Sequence, residues 1–445
     1  IPYIGVLKKD LSLSIRSLLM PMVSQRLLSQ ERLLKKRAAA ERARVANGLP
    51  HQLHYFHQVD DPYSALVAAC LPDFLARYAI QLVPHVVGEP PANAAPERDK
   101  LKAYSRRDAE SLARHWGMGF RDPGHQPDAS ATQLAQRMLV SAIQSDQFSA
   151  VAGKITRGLW RGEDFSALNL PLGDAALAQA HVSASTALRE QWGHYLGGMF
   201  FYCGEWYWGL DRLYHLEERL QSLGLQKPGV MGTLFAPPPD LQHDCAPAQP
   251  THIDYFFSLR SPYSAIVTPR VFALGRHTGV PVRLRYLLPM VMRGLPVPKI
   301  KSSYIALDAA REARARDIAF GRVNDPVGKP TERGLALMPL AERLGHGQAY
   351  LLSFMKGVWA EGIDAGSDRG LRRIVERAGL SWGEAQDALQ QDDWRSVAEA
   401  NRTEMFGLGL WGVPSFRVNQ LSVWGQDRLW AVQEEICGQR QKEAS

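Results

Sequence analysis

The residues that could carry chemistry begin with a serine between an apolar strand and a helix. In Arg260-Ser261-Pro262-Tyr263-Ser264, Ser261 is of a type favoured at a helix N-cap and Pro262 of a type favoured at the first helical position. Exposed main-chain N–H groups and the helix dipole favour negative charge at such a helix start. The Ser261 hydroxyl is therefore a candidate for stabilising an anionic ligand group, although the pattern also fits a helix start that binds nothing.

A second candidate is the turn Gly412-Val413-Pro414, which leads into a strand. Because proline donates no hydrogen bond to a sheet, an X-Pro pair entering an edge strand favours a cis peptide between Val413 and Pro414. Such a turn leaves the main-chain N–H and C=O of Val413 available to pair with an extended, peptide-like ligand. Taken alone, the tripeptide also fits an ordinary structural turn.

The third candidate is Trp424-Gly425-Gln426-Asp427-Arg428, where a strand runs into a helix. The Gln426 N–H and the Asp427 carboxylate could bind the carboxylate and the ammonium of an amino-acid-like group. The alternative is a helix cap in which Asp427 only complements the helix dipole.

These candidates belong to the second copy of an internal repeat. The segment 53–67 recurs as 253–267 at a constant offset of 200 residues, including the shared string Pro-Tyr-Ser-Ala, and the same offset carries Tyr104 and Asp108 to Tyr304 and Asp308. Near the end of each copy, Trp208-Gly-Leu-Asp-Arg-Leu213 recurs as Trp424-Gly-Gln-Asp-Arg-Leu429. The chain is therefore predicted to contain a tandem duplication.

Each copy shows a strand, a helix, a second strand, a long helical insertion, and then two strands and a final helix. A Pro-rich linker around 236–250 separates the copies. The predicted fold class is α/β, with two tandem thioredoxin-like (DsbA-like) domains at 51–240 and 251–440, each with a helical insertion. Residues 1–50 are predicted to form a basic amphipathic helical extension.

The formal charge of +7 does not indicate a nucleic-acid-binding surface. Residues 1–50 carry ten Lys and Arg against three acidic residues, so the remaining chain has no net charge. We expect no nucleic-acid partner and no membrane-spanning helix. The extension at 1–50 is interpreted as packing on the body or on a partner chain, with contact to a membrane surface as the alternative.

The four cysteines, at 70, 203, 245 and 437, form no CxxC pair, which excludes a dithiol redox motif. Their sparse spacing predicts no disulfide framework and a reducing, cytoplasmic compartment. His51, His54 and His57 recur at a spacing of three, which does not place them on one face of a strand, so no metal site is predicted.

Together, Ser261-Pro262-Tyr263-Ser264, Gly412-Val413-Pro414 and Gly425-Gln426-Asp427-Arg428 resemble the kappa-class glutathione transferase and 2-hydroxychromene-2-carboxylate isomerase family, a DsbA-like branch of the thioredoxin fold. The resemblance covers residues 251 to about 437 well and residues 51–240 in degraded form. It implies that glutathione is the cofactor and that Ser261, in place of a redox cysteine, hydrogen-bonds its thiol.

The resemblance also implies roles for the other candidates. Val413, before the cis residue Pro414, would pair with the cysteinyl backbone of glutathione. Gln426 and Asp427 would bind its γ-glutamyl end, and Lys301 would lie near its glycyl carboxylate. The expected activity is glutathione-dependent isomerisation or conjugation of a small aromatic electrophile.

The first copy lacks these residues, since Asp61 stands where Ser261 stands and Gly197-Gly198 replace Val413-Pro414. It is interpreted as a degenerate, structural copy, packed on the second copy as an internal pseudo-dimer; assembly into a homo-oligomer stays open. The alternative function is a non-catalytic DsbA-like module that binds peptides or acts as a chaperone.

Overall fold

A computed structural model describes residues 19–165, 168, 170–239, 241, 245–247, 249–295 and 297–438 as a mixed α/β chain. The described residues divide into two compact units. The first unit comprises residues 35–237 and 298–304, and the second comprises the described parts of 1–34, 238–297 and 305–445.

Helices α1 (19–28) and α2 (Gln30–Ala46) precede the first sheet, and the chain breaks from helical geometry between them at Ser29. The elements that follow in the first unit are β1 Gln52–Gln58, α3 Pro62–Arg77, β2 Gln81–Val87, α4 Arg98–His115, α5 Ala129–Gln144, α6 Phe148–Arg161, α7 Ala175–Gln191, β3 Met199–Tyr202, β4 Glu205–Trp208 and α8 Leu213–Ser222. Within the described residues, none of the helices combines the length and the hydrophobicity that a membrane-spanning segment requires.

The second unit continues in the same order. Its elements are β5 Ile253–Phe257, α9 Pro262–Thr278, β6 Val282–Tyr286, α10 Lys299–Ala315, α11 Lys329–Ala336, α12 Met338–Arg343, α13 Gly347–Ala360, α14 Asp368–Arg377, α15 Trp382–Ala388, α16 Trp394–Gly407, β7 Ser415–Val418, β8 Leu421–Trp424 and α17 Leu429–Ile436. The first residues of α10, up to Tyr304, pack with the first unit.

Each unit contains one four-stranded sheet, and the two sheets have the same strand order, β2-β1-β3-β4 and β6-β5-β7-β8. In the first sheet β1 and β2 are parallel, whereas β3 pairs with β1 and β4 pairs with β3 in antiparallel orientation. The second sheet has the same pairing, with β5 to β8 in place of β1 to β4. A parallel pair needs a crossover connection, which α3 and α9 provide. The predicted order of a strand, a helix, a strand, helices, two strands and a helix is observed in both units.

The core of the second unit forms on both sides of its central strand. All residues of β5 are buried; four of the five are apolar or aromatic, and the fifth, Asp254, forms an ion pair with Arg285 at 3.0 Å. Tyr255 stacks on Phe416 of β7, and its hydroxyl donates to the Ser264 carbonyl in α9 at 3.0 Å. The sheet and the first turn of α9 are therefore tied together just below Ser261.

In both units a tyrosine at the start of the crossover helix binds an aspartate of the insertion. The Tyr63 hydroxyl donates to Asp108 at 2.8 Å, and the Tyr263 hydroxyl donates to Asp308 at 2.8 Å. These four residues are among those that the 200-residue offset pairs in the sequence. The bond fixes the helical insertion against the helix that begins at the candidate serine.

The sparse cysteine spacing predicts no disulfide framework, but a disulfide joins Cys245 to Cys437, with their Cα atoms 5.7 Å apart. The two cysteines are 192 residues apart in sequence, and no local spacing pattern signals their pairing. The other two cysteines are free thiols. Burial raises the pKa of Cys203 and of Cys70, so neither has the lowered pKa of a reactive thiol.

Candidate functional site

The position of Ser261 follows from the turn that joins β5 to α9. The Ser261 N–H donates to the Ser258 carbonyl at 3.0 Å, which closes the turn, and Pro262 begins the helix. Ser261 has extended backbone angles, as an N-cap requires, and its Oγ accepts the Ser264 N–H at 3.1 Å. The cap bond occupies a lone pair of Oγ and leaves the O–H as a donor.

The Val413–Pro414 turn lies directly against this serine. Its peptide bond is cis, as predicted, and the Ser261 hydroxyl donates to the Val413 carbonyl at 3.4 Å. On the other side of the turn, the Gly425 N–H donates to the Pro414 carbonyl at 2.9 Å. The structure therefore brings together the three sequence elements that were singled out as candidates.

The side chain of Gln426 has a structural role that its sequence position did not indicate. It is buried, accepts a hydrogen bond from the Arg270 guanidinium, and donates to the Glu312 carboxylate at 2.7 Å. Its amide also donates to the carboxylate of Asp427, which is half-buried. The network ties the 3₁₀ turn Gln426–Arg428 to α9 and α10, and it holds Asp427 at the start of that turn.

Lys301 packs with the first unit, whereas the other candidate residues belong to the second unit. Its ammonium donates to the Ala94 carbonyl at 2.9 Å, and burial lowers its pKa to about 8. Its assignment to a glycyl carboxylate stays a prediction from the resemblance.

Two contacts around the serine were missed by the sequence reasoning. Arg260 forms a bidentate ion pair with Asp325, at 2.8 and 2.9 Å, and the Trp359 indole N–H donates to the Leu259 carbonyl at 3.1 Å. Both partners come from the helical insertion, far along the chain, so nothing near the serine signals them. They hold the turn before α9 from the side of the insertion.

The equivalent place in the first unit has a different chemistry. Asp61 is the N-cap of α3, where its Oδ2 accepts the Ser64 N–H at 2.8 Å and the Ser64 hydroxyl at 2.7 Å. Burial raises the pKa of Asp61 to about 6, so at neutral pH the carboxylate accepts hydrogen bonds and donates none. A Cβ at Gly197 would lie 2.5 Å from the Gln58 Cβ, which leaves no room there for a valine.

Comparisons with known proteins concern the second unit. Residues 252–437 match a family model described as DSBA-like thioredoxin domain. A 2-hydroxychromene-2-carboxylate isomerase from Sphingobium xenophagum is 24% identical over 191 residues, which are 40% of this chain and 93% of that protein. The predicted DsbA-like thioredoxin fold is confirmed for this part of the chain.

Solved structures of similar proteins include an isomerase and a disulfide reductase. A structure of 2-hydroxychromene-2-carboxylate isomerase is 20% identical and covers 43% of this chain and 97% of its own, with a TM-score of 0.38. The cytosolic disulfide reductase DsbM from Pseudomonas aeruginosa with GSH is 18% identical and covers 44% of this chain and 100% of its own, with a TM-score of 0.30.

Proposed function

We propose that residues 251–440 bind glutathione and use its thiolate to isomerise or conjugate a small aromatic electrophile. The observation that carries the proposal is the Ser261 hydroxyl, which caps α9 with a lone pair beside the cis-proline turn. Its proton points to the Val413 carbonyl at a long 3.4 Å and would turn from that carbonyl to the thiolate when glutathione binds. A sequence relative over the same part of the chain is a 2-hydroxychromene-2-carboxylate isomerase, which names the first substrate to test.

The energetics of the thiol are compatible with this role. A thiol with a pKa of about 8.5 is only a few per cent ionised at neutral pH, and lowering that pKa by two units takes about 2.7 kcal/mol. A hydrogen bond from Ser261 to a thiolate would contribute about 1.5 to 3 kcal/mol. The dipole of α9, whose N-cap is Ser261, would add about 0.3 to 1 kcal/mol.

The isomerisation uses only the glutathione thiolate and a conjugated carbonyl group of the substrate. The thiolate adds to a conjugated C=C bond, and the electron pair moves to the conjugated carbonyl oxygen as an enolate. Rotation about the new single bond and return of the electron pair expel the thiolate, so glutathione is regenerated and the substrate leaves isomerised. If the enolate is protonated at carbon instead, the thioether persists and the reaction is a conjugation.

The remaining site residues supply the binding groups in this proposal. The main chain of Val413 pairs with the cysteinyl backbone, and the 3₁₀ turn that begins at Gln426 presents N–H groups to the α-carboxylate of the γ-glutamyl end. Asp427 binds the ammonium group. Lys301 is proposed for the glycyl carboxylate on the resemblance alone.

We also propose that the first unit arose by duplication and no longer binds glutathione. The shared strand order and the matching Tyr–Asp hydrogen bonds support common ancestry of the two units. At neutral pH the Asp61 carboxylate repels a thiolate, which Ser261 would attract.

A second candidate is a peptide-binding module without catalysis. It is favoured by the cis turn at Val413–Pro414, because pairing of an extended peptide with the Val413 main chain requires no thiol. A dithiol oxidoreductase is excluded since the sequence has no CxxC pair.

The test is turnover of 2-hydroxychromene-2-carboxylate, followed by absorbance with and without reduced glutathione. We expect glutathione-dependent isomerisation that falls at least tenfold in Ser261→Ala and is largely retained in Ser261→Thr, which keeps the hydroxyl. Unchanged turnover in Ser261→Ala would refute the mechanism. Binding of an extended peptide with no effect of glutathione would favour the peptide-binding module.

A further inference from the structure

A cavity in the first unit lies between α3, α6 and the loop that follows α4, and Asp61 is not among its lining residues. Its volume is about 240 Å³, and its lining includes small residues of the two helices, among them Ala65, Ala68 and Gly153. A Cβ at Gly153 would lie 3.0 Å from the Ala68 carbonyl oxygen. Helices α3 and α6 therefore pack too closely at Gly153 for a larger side chain there, and the cavity lies beside this close contact.

The rim of this cavity is strongly basic. Arg121, Lys154, Arg157 and Arg161 line it, and no acidic residue does. Arg161 is 3.5 Å from Glu163, but the other three form no ion pair within the described part of the chain. Four like charges around one small cavity repel one another unless an anion joins them.

A buried indole N–H in the wall gives a second, independent indication of a ligand. Trp160 is 3% exposed, and its Nε1 has no hydrogen-bond acceptor among the described residues. The corresponding tryptophan of the second unit, Trp359, donates to the Leu259 carbonyl at 3.1 Å. A buried donor without an acceptor costs about 1 to 3 kcal/mol, which an acceptor atom in the cavity would recover.

The two tryptophans are comparable because their surroundings recur. Arg157-Gly-Leu-Trp160 in α6 matches Lys356-Gly-Val-Trp359 in α13. The ring of Phe120 lies 5.4 Å from the Trp160 ring, and the ring of Phe320 lies 5.7 Å from the Trp359 ring. The position of the tryptophan is therefore repeated in both units, but the Trp160 N–H without an acceptor and the basic cavity around it belong to the first unit.

We propose that this cavity binds a small aromatic carboxylate, with the acid group among the basic side chains and the ring against the small side chains of α3 and α6. Its size agrees with this class of ligand, since a cavity of about 150 Å³ accommodates benzene and about 90 Å³ is left for substituents. The Trp160 N–H would donate to a carboxylate or substituent oxygen. The proposal is independent of glutathione binding and of Ser261.

The probe is benzoate, titrated into the full-length protein and observed by ligand NMR in the absence of glutathione. Benzoate has about nine non-hydrogen atoms, so we expect saturable binding with a Kd of about 0.1 to 1 mM. Benzamide, which has the same shape without the charge, should bind at least tenfold more weakly. Raising the ionic strength from about 0.01 to 0.15 M should weaken benzoate binding, because it shortens the Debye length.

Variants locate the site. Arg157→Gln should weaken benzoate binding about fivefold, as expected for loss of a partly exposed charge contact. Trp160→Phe should also weaken it, whereas Lys356→Gln, at the matching place in α13, should not. Equal binding of benzoate and benzamide, an equal loss in Lys356→Gln, or no saturation at about 10 mM benzoate would each overturn the proposal.

Discussion

Replacing Ser261 with alanine removes two interactions that can be measured separately. The first is the cap bond from the Ser264 N–H, which is 3.1 Å long, and its loss should cost about 1 kcal/mol of stability. The second is the proposed hydrogen bond to the glutathione thiolate, worth about 1.5 to 3 kcal/mol. Divided by 1.36 kcal/mol per pKa unit, its loss should raise the pKa of the bound thiol by about one to two units.

The assay is a pH titration of the protein–glutathione complex, following the ultraviolet absorbance of the thiolate. Ser367→Ala is a matched control because Ser367 caps α14 through an equivalent bond, from the Gly370 N–H, that is also 3.1 Å long. Both variants should lose similar stability in urea unfolding. Only Ser261→Ala should shift the pKa of the bound thiol.

A bound thiol whose pKa is the same in Ser261→Ala and in the parent protein would refute the hydrogen bond from Ser261 to the thiolate. A shift of the same size in Ser367→Ala would also refute it, because loss of a helix cap alone would then explain the effect.

Three further predictions concern stability. Burial raises the pKa of Asp61 to about 6, so the free energy of unfolding should fall as pH rises from about 4 to 6. Asp61→Asn should therefore stabilise the protein by about 1 to 3 kcal/mol at pH 7 and have little effect at pH 3, as measured by urea unfolding. Burial lowers the pKa of Lys301 to about 8, so Lys301→Met should stabilise the protein at pH 7 by about 1 to 3 kcal/mol, an advantage that disappears above about pH 10 in thermal unfolding. Reducing the Cys245–Cys437 disulfide, which spans 192 residues, should lower the free energy of unfolding by about 2 to 5 kcal/mol, measured with and without dithiothreitol.

Each of these has a control. Asp61→Asn keeps the oxygen that caps α3, so a loss of stability at pH 7 would show that the carboxylate is not penalised by burial. A Lys301→Met protein whose advantage is independent of pH would indicate a packing effect. Cys437→Ser should make the protein insensitive to the reductant, and a continued response would assign the effect to another bond.

The positions of Ser261, Val413 and Pro414 could be predicted because each depends on local backbone chemistry. A serine before a proline starts a helix, and a proline entering a strand favours a cis peptide, so a short stretch of sequence carries the information. The internal repeat is also readable from sequence, because its fixed offset pairs Tyr63 with Tyr263 and Asp108 with Asp308. Each tyrosine donates a hydrogen bond to the aspartate of its own unit.

The contacts that were missed are those between distant segments. The Cys245–Cys437 pair, the Arg260–Asp325 ion pair and the burial of the Gln426 side chain against Glu312 join residues 192, 65 and 114 positions apart. Their partners are brought together by the packing of the insertion and the linker, which no periodicity in one sequence encodes. The packing of Lys301 with the first unit belongs to the same class.

The most direct test of the central claim is calorimetric titration of reduced glutathione into the full-length protein and its Asp427→Ala variant. Saturable binding of one equivalent per chain, weakened at least fivefold in Asp427→Ala and unaffected in Asp211→Ala at the matching position of the first unit, is the expected result. Absence of binding at millimolar glutathione, or equal weakening in the two variants, would contradict a glutathione site at Ser261.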